Sequence, residues 1–141
     1  MSALKNLLDT FRHAAVTERE KGTYFEELIV AYLRNEATYK DYYSQVWTFS
    51  EWAKSQGLDG RDTGIDLVAE TSATKELHAI QCKFYDEDYK IQKKDLDSFF
   101  TASGKKPFTH RIVVTTSNNW SEHANDSLQG QQTPCNKIDL Q

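Results

Sequence analysis

The chain of 141 residues has the size of one ordinary domain, and 38% of its residues are hydrophobic and 27% are charged. This composition supports a folded core and excludes a disordered or low-complexity chain. No apolar run is long enough for a transmembrane helix, and the N-terminus does not match a secretory signal. The two cysteines, Cys82 and Cys135, have no zinc-site or disulfide-scaffold spacing. We therefore expect a protein of the reducing cytoplasm with no membrane partner.

The net charge of −4 limits the ways in which this chain can act on nucleic acid. Domains that bind DNA tightly and without sequence preference usually carry an excess of Lys and Arg, because these residues neutralise phosphates. A role on DNA must therefore depend on a local site, or on a partner that supplies the affinity.

The first part of the chain predicts two helices. Apolar residues recur at helical spacing over residues 3–15, which predicts an N-terminal helix with one buried face. Thr17 followed by Glu20 matches a capping box and predicts a second helix over about residues 18–35.

The second helix presents two neighbouring glutamates differently. Its predicted apolar stripe consists of Phe25, Leu28, Ile29 and Tyr32. At 100° per residue, Glu26 falls at the margin of that stripe, whereas Glu27 points away from it. Glu26 is thus the carboxylate that can approach the rest of the fold.

The remainder of the chain predicts alternating strands and helices. A loop or helical turn, an extended segment and a second loop are predicted over residues 35–45, 46–52 and 54–64. Strand-like runs joined by a polar turn near 71–76 predict a hairpin over residues 64–70 and 77–85. Then follow a helix ended by Gly104, a strand, a short helix and a closing strand, over residues 91–103, 111–116, 120–129 and 137–140. This order predicts an α/β fold with a mixed central sheet flanked by helices.

Three polar residues of the hairpin are predicted to converge. Gln81 and Lys83 project from one face of their strand because they are two residues apart. If the turn is centred near Ala73 and Thr74, Asp66 falls opposite Gln81. Oxygen ligands of this kind hold Mg²⁺, which polarises a phosphate, and a lysine can stabilise negative charge or help to deprotonate a water. One carboxylate is too few for a firm Mg²⁺ site, and Glu26 is the best-placed further acid.

From spacing alone, this set of residues is weak evidence, because Asp, Gln and Lys at an exposed sheet end usually form a solvated surface. Its motifs, however, resemble those of the Mrr-like branch of the PD-(D/E)xK nuclease superfamily. They are Gly22-x-x-Phe25-Glu26, Asp62-Thr63-Gly64-Ile65-Asp66-Leu67-Val68-Ala69 and Ala79-Ile80-Gln81-Cys82-Lys83.

A longer ordered pattern is similar to the N-terminal nuclease domain of Type ISP restriction–modification enzymes. It adds Glu18-Arg19-x-Lys21-Gly22-Thr23, Ala31-Tyr32-Leu33 and Val46-Trp47 to the motifs above. The resemblance extends from about residue 7 to at least residue 116, which is most of the chain.

The resemblance implies a restriction-endonuclease-like core and a role for each of four residues. Asp66 is the implied metal-binding aspartate, Gln81 stands where the superfamily usually has Asp or Glu, and Lys83 is the implied catalytic lysine. Glu26 matches a helix glutamate that supports the metal or its waters, so that the implied metal ligands are Asp66, Gln81 and Glu26. The implied cofactor is Mg²⁺, with Mn²⁺ as a substitute. Ile65 in place of proline and the neutral Gln81 depart from the common pattern and leave fewer negative charges at the site.

The resemblance also implies a context. Residues 1–141 are expected to form one nuclease domain, with a helical extension over about residues 1–17 and a core over 18–141. Type ISP enzymes continue into an ATP-dependent translocase, a methyltransferase and a target-recognition domain. These modules are the implied partners in a prokaryotic cytoplasm, and duplex DNA is the implied substrate. The chain itself contains no GxxxxGK[ST] phosphate loop, and its acidic charge favours the first domain of a longer polypeptide over a protein acting alone.

Three functions remain open on the sequence. The first is a Mg²⁺-dependent endonuclease domain of an ATP-dependent restriction–modification enzyme, which nicks or cleaves duplex DNA. The second is a standalone Mrr-like nuclease on modified or junction DNA, and the third is a catalytically silent DNA-binding module of the same fold. Candidate DNA contacts beside the site are Lys90, Lys93, Lys94, Lys105, Lys106, Thr115 and Thr116.

Overall fold

Five strands form one sheet within residues 8–10, 13, 17–58, 64–86, 88–131 and 133–139, which are the residues that the computed structural model describes. In chain order, the elements are α1 (Glu18–Asn35), β1 (Tyr43–Thr48), α2 (Phe49–Ser55), β2 (Leu67–Thr71), β3 (Leu77–Lys83), a 3-10 helix (Lys93–Asp95), α3 (Asp97–Ser103), β4 (Phe108–Thr115), α4 (Glu122–Ser127) and β5 (Cys135–Asp139). Residues 8–10 and 13 are also helical, and Leu8 is buried. The rest of the helix predicted over 3–15 lies outside the described residues. Within the described part of the chain, no helix combines the length and the apolar character that crossing a bilayer requires.

The sheet is mixed, as the sequence predicted. Its strand order is β1-β2-β3-β4-β5, with antiparallel pairing of β1 with β2 and of β2 with β3. β3 pairs in parallel with β4, and β4 with β5, so that their connections carry the 3-10 helix, α3 and α4. The ends of β3, β4 and β5 therefore meet the start of β2 at one edge of the sheet. We call this the carboxyl edge, and it is marked by Asp66, Lys83 and Thr115.

Helix α1 covers one face of the sheet. It begins as predicted, because the Thr17 hydroxyl accepts a hydrogen bond of 3.1 Å from the N–H of Glu20. Its buried residues are Phe25, Ile29 and Leu33, which pack with Leu67, Ala69, Ile80 and Val114 of the strands. Leu28 and Tyr32 of the predicted stripe are only partly buried.

The shorter helices cover the opposite face. The core on that side includes Trp52, Val68, Ala79, Leu96, Phe99 and Val113. Ala79 and Ile80 of β3 thus belong to different cores, which confirms the predicted alternation of faces along this strand. The strand that carries Gln81 and Lys83 is consequently packed on both sides.

Residues 49–55 form a helix, where the sequence predicted an extended segment over 46–52 and a loop from 54. The reason is a capping box. The N–H of Glu51 donates to the Thr48 hydroxyl at 3.2 Å, and the N–H of Thr48 donates to Glu51 Oε1 at 3.1 Å. β1 also begins earlier than expected, at Tyr43.

Residues 91–103 do not form one continuous helix, contrary to the prediction. Ile91 forms an isolated β-bridge with Trp120, and α3 begins only at Asp97. Gly104 ends the helix as predicted. The bridge ties the chain after β3 to the chain after β4, because each segment donates one backbone hydrogen bond to the other.

The last elements differ from prediction mainly in their bounds. β4 begins at Phe108 and β5 at Cys135, so both strands start earlier than expected. α4 begins later, because the Ser121 hydroxyl accepts a hydrogen bond of 3.0 Å from the N–H of Ala124 and caps the helix there.

Candidate active site

The predicted register of the hairpin is confirmed. Leu67 lies opposite Ile80, so Asp66 is one step beyond the pairing and beside Gln81. The N–H of Asp66 donates to the Ile80 carbonyl at 3.0 Å, which continues the ladder past the last paired residue of β2. The structure therefore brings Asp66 and Gln81 together at the carboxyl edge.

Asp66 is held by its backbone and by its side chain. Its carbonyl accepts a hydrogen bond of 2.8 Å from the N–H of Phe49, the first residue of α2. Its carboxylate Oδ2 accepts a hydrogen bond of 2.8 Å from the N–H of Cys82. A carboxylate fixed in this way keeps its charge in one place beside β3, which is the preorganisation that a catalytic or metal-binding group needs.

Gly64, two residues before Asp66, packs closely against α3. Its φ is +95°, a conformation that other residues rarely adopt, and a Cβ placed on it would lie 3.1 Å from the Ser98 carbonyl oxygen. The glycine of the Asp62–Ala69 motif thus serves a close approach between backbone segments. Asp62 and Thr63 of the same motif lie outside the described residues.

Gln81 has a buried polar atom that no other described residue satisfies. The side chain is 8% exposed, and its Oε1 is buried without a hydrogen-bond partner among the described residues. An unpaired buried carbonyl oxygen costs about 1–3 kcal/mol, so it calls for an explanation. An amide oxygen is a suitable ligand for Mg²⁺, and the hairpin register places the residue that carries it opposite Asp66. The residues present therefore fit a bound divalent cation.

Lys83 is the last residue of β3 and lies opposite Thr115 of β4. It is half-buried and projects from the same face as Gln81, as the two-residue spacing predicted. The structure thus places an ammonium group on the same face of the carboxyl edge as the amide oxygen.

Glu26 lies on α1, which packs on the face of β3 that carries Ile80 and Cys82, whereas Gln81 and Lys83 project from the other face. Glu26 is half-buried, whereas Glu27 is exposed. The Phe25 ring packs on the Phe84 ring with centroids 5.2 Å apart, which holds this part of α1 against the residue after Lys83. Burial, followed by the negative charges of Asp66 and Glu26, raises the pKa of the Cys82 thiol. Both carboxylates thus raise the pKa of the same thiol on β3. The Cys82 thiol stays protonated and packs against the core, so it does not serve as a nucleophile.

Carboxylates are few at this site. Among the residues that the structure describes, no three His, Cys, Asp or Glu side chains are grouped so as to hold a metal ion by themselves. A cation here would depend on Asp66, Glu26 and the Gln81 amide, and on waters or a substrate phosphate for the rest of its ligands. Mg²⁺ is commonly bound in this way, since it keeps several waters.

Two expected DNA contacts are used inside the fold instead. Thr115 and Thr116 are fully buried. The Thr115 hydroxyl accepts from the N–H of Ser117 at 3.1 Å, and the Thr116 hydroxyl bonds to the backbone of Tyr85. The burial of both threonines leaves them no surface for the DNA contact that the sequence left open.

The five candidate lysines separate into two groups. Lys105 and Lys106 precede β4, so they lie at the opposite edge of the sheet from Lys83. The exposed residues Lys90, Lys93 and Lys94 flank the segment that pairs with Trp120, just beyond the end of β4. Only this second group remains a candidate for contact with phosphates at the carboxyl edge, although Lys93 is already paired with Asp97 at 3.0 Å.

Comparison with known proteins gives consistent matches. A family model described as a restriction endonuclease matches residues 34–141. Among solved structures, the chain is similar to the ATP-dependent Type ISP restriction-modification enzyme LlaBIII bound to DNA, with 33% identity and a TM-score of 0.75. That match covers 94% of this chain and 8% of LlaBIII.

A second solved structure shares the fold. It is the MspJI restriction endonuclease in complex with a 27-mer oligonucleotide, with a TM-score of 0.52 and 13% identity. The match covers 98% of this chain and 28% of MspJI. No curated protein matches the chain. The chain therefore spans a small part of each of these two enzymes, and both likenesses agree with a restriction-endonuclease-like α/β fold.

Proposed function

The chain belongs to the restriction endonuclease family whose model it matches, and from this premise we propose that it is a Mg²⁺-dependent endonuclease domain that nicks or cleaves duplex DNA. The observation that carries the proposal is the buried Oε1 of Gln81, which has no hydrogen-bond partner among the described residues, on the residue opposite Asp66, whose carboxylate is anchored. Lys83 stands on the same face of the same strand end. A carboxylate, an amide oxygen and an ammonium group are the groups needed to bind a cation and to stabilise a reacting phosphate.

Asp66, Gln81 and Glu26 would hold the metal ion, and Mn²⁺ would substitute for Mg²⁺. When bound, the ion supplies a Lewis acid for the scissile phosphate and lowers the pKa of a water. The hairpin supplies the orientation, because the Cys82 N–H holds the Asp66 carboxylate in place. Lys83 supplies positive charge that stabilises the negative charge growing on the phosphate oxygens, or helps to position and deprotonate the attacking water.

We further propose that the domain acts as part of an ATP-dependent restriction–modification enzyme. Support comes from the match to LlaBIII, a much longer chain that is described as ATP-dependent and bound to DNA. The net charge of −4 points the same way, since it gives the domain no long-range attraction to phosphates. Translocating, methylating and sequence-reading modules of the same polypeptide would bring DNA to the site at a high effective concentration.

Plasmid nicking tests the proposed activity. The chain with Mg²⁺ should convert supercoiled plasmid to nicked or linear forms, and EDTA should stop the reaction. Lys83→Ala should lower the rate by at least about 100-fold, a loss typical for a positioned charge or proton-transfer group. Lys40→Ala is the matched control, because Lys40 is exposed in the turn before β1, at the opposite edge of the sheet. Equal rates for Lys83→Ala and Lys40→Ala would contradict the assignment.

A catalytically silent DNA-binding module is the second candidate function, and the small number of carboxylates favours it. Calorimetric titration with Mn²⁺ separates the two. A nuclease site should bind Mn²⁺ in the wild type and in Lys83→Ala, because the lysine is not a ligand, and should lose binding in Asp66→Asn. Absence of Mn²⁺ binding, together with absence of nicking, would favour the silent module.

A gel shift at physiological salt tests the third candidate, a standalone nuclease on modified or junction DNA. The isolated chain should bind duplex DNA weakly, and fusion to a DNA-tracking module should raise cleavage with no change at the site. Submicromolar binding by the isolated chain would favour the standalone nuclease.

A further inference from the structure

The chain after Lys83 stays bonded to the chain after β4 although β3 ends at Lys83. Lys83 pairs with Thr115, and the next partner of the strand is a side chain. The N–H of Tyr85 donates to Thr116 Oγ1 at 2.7 Å, and the Thr116 hydroxyl donates to the Tyr85 carbonyl at 2.6 Å. The N–H of Thr116 also donates to the Lys83 carbonyl at 3.3 Å. Thr116 thus bonds to the residues on both sides of Phe84.

The hydroxyl of Thr116 bonds to the backbone N–H and carbonyl of Tyr85, as the backbone of a neighbouring strand would do. Thr116 is fully buried, and Tyr85 is half-buried. Removal of the hydroxyl would take this partner from both backbone groups of Tyr85, and each lost hydrogen bond costs about 0.5–1.5 kcal/mol. The segment after Lys83 would therefore shift in order to find other partners.

Neighbouring contacts hold the far side of the same segment. The Ser117 hydroxyl donates to the Tyr89 carbonyl at 2.6 Å, and the Tyr89 ring stacks on the Tyr85 ring with centroids 4.2 Å apart. The Tyr89 hydroxyl donates to Asp95 at 2.9 Å. Tyr85 and Tyr89 are therefore anchored to the chain after β4 by two consecutive hydroxyl side chains, and Thr116 is the one that also bonds to Lys83.

We propose that Thr116 is a positioning residue, which acts through the backbone on both sides of Phe84 to set the place of the Lys83 ammonium at the carboxyl edge. This inference rests on the proposed nuclease function. The β3–β4 ladder fixes the backbone before Lys83, and Thr116 fixes it afterwards. Displacement of a catalytic group by about 1 Å can lower a rate by about 100-fold, so the loss of this hydroxyl should affect the chemical step.

The test compares Thr116→Val, which keeps the shape and removes the hydroxyl, with Thr116→Ser, which keeps the hydroxyl. Single-turnover cleavage at saturating enzyme should be about 10- to 100-fold slower per folded molecule in Thr116→Val, with unchanged half-saturation by DNA. Thr116→Ser should restore most of the rate. Hydrogen exchange of the Tyr85 amide should become faster in Thr116→Val and stay slow in Thr116→Ser, and this readout needs no activity.

Ser121→Ala is the matched control. It removes another buried hydroxyl that follows β4, but that hydroxyl caps α4 and does not contact the segment after Lys83. It should lower the stability and leave the rate per folded molecule unchanged. If Thr116→Val cleaves at the wild-type rate per folded molecule while Lys83→Ala is inactive, the positioning role is wrong and the proposed function stands. If the wild type is no faster than Lys83→Ala, the proposed function fails, whatever Thr116 does to hydrogen exchange.

Discussion

The backbone N–H of Cys82 donates a hydrogen bond of 2.8 Å to Oδ2 of Asp66, so the strand that carries Gln81 and Lys83 also orients the aspartate. The relative placement of the three candidate groups is therefore decided within one hairpin. Its two strands are held from both faces by separate hydrophobic cores. Because the candidate groups are polar and the two cores are apolar, the charge of the site can be changed without a change in the packing that supports it.

Asp66→Asn should abolish cleavage and leave the fold intact. The asparagine keeps an oxygen that can accept from the Cys82 N–H, but it removes the charge that would attract the cation. Asp66→Ala should abolish cleavage as well and should also lower the free energy of unfolding by about 1–2 kcal/mol, because the Cys82 amide loses its partner. Nicking assays and urea unfolding of both variants measure these effects. Wild-type cleavage by Asp66→Asn at saturating Mg²⁺ would show that Asp66 is not a ligand.

Glu26→Gln should weaken Mn²⁺ binding and raise the Mg²⁺ concentration that cleavage requires. Its neighbour provides the control, since Glu27 is exposed on the same helix. Glu27→Gln should behave like the wild type, with stability within about 0.5 kcal/mol. Calorimetry and cleavage rates across a Mg²⁺ series would compare the two variants. Damage from Glu27→Gln alone would mean that the helix faces the site differently from the structure.

The hairpin and α1 were predictable because both follow local rules. A strand repeats every two residues, so a turn near Ala73 and Thr74 fixes the pairing of Asp66 with Gln81 by parity. A helix repeats every 3.6 residues, so Thr17 and the apolar stripe together fix which face carries Glu26. In both cases a short stretch of sequence is enough to determine which residues share a face.

Two other features needed the tertiary structure. The Thr116 hydroxyl bonds to Tyr85, 31 residues earlier in the chain. No local sequence pattern predicts a contact between residues so far apart. Helix α2 did have a local signal, the capping box of Thr48 and Glu51, but aromatic residues such as Trp47 and Phe49 also favour an extended segment. Short apolar runs are ambiguous between strand and helix, and here the cap decided the outcome.

Gly64→Ala should lower the free energy of unfolding by about 1–3 kcal/mol and should slow cleavage, because it strains the backbone two residues before Asp66. The added Cβ would meet the backbone and Cβ of Ser98 at 3.1–3.2 Å, and the φ of +95° is unfavourable for any residue with a Cβ. Gly22→Ala is the opposite case, since Gly22 lies within α1 with nothing within 4 Å of an added Cβ. It should raise stability by about 0.5–1 kcal/mol. Thermal unfolding of both variants gives the comparison, and equal effects would contradict the close approach at Gly64.

Two histidines, of which His78 is buried and His110 half-buried, lie at the opposite edge of the sheet from the site. His78 is 4% exposed, its Nδ1 lies 2.8 Å from the Tyr43 hydroxyl, and its ring is 4.8 Å from that of His110. Burial, followed by the charge of His110, lowers the pKa of His78 from 6.5 to about 4, while Glu76 opposes the shift. The folded protein therefore holds this imidazole neutral at a pH where the unfolded chain binds a proton.

His78 should accordingly make stability depend on pH. Between the unfolded pKa of 6.5 and the folded pKa of about 4, the unfolded state binds more protons, so stability is complete above the window and falls as the pH falls through it. Between about pH 7.5 and about pH 5, this group should remove roughly 2 kcal/mol from the free energy of unfolding. His78→Gln, which still offers Tyr43 a partner, should flatten the dependence, and His123→Gln at an exposed position should leave it unchanged. Urea unfolding of the three proteins at both pH values measures the difference. Parallel loss of stability in the wild type and His78→Gln would show that other groups are responsible.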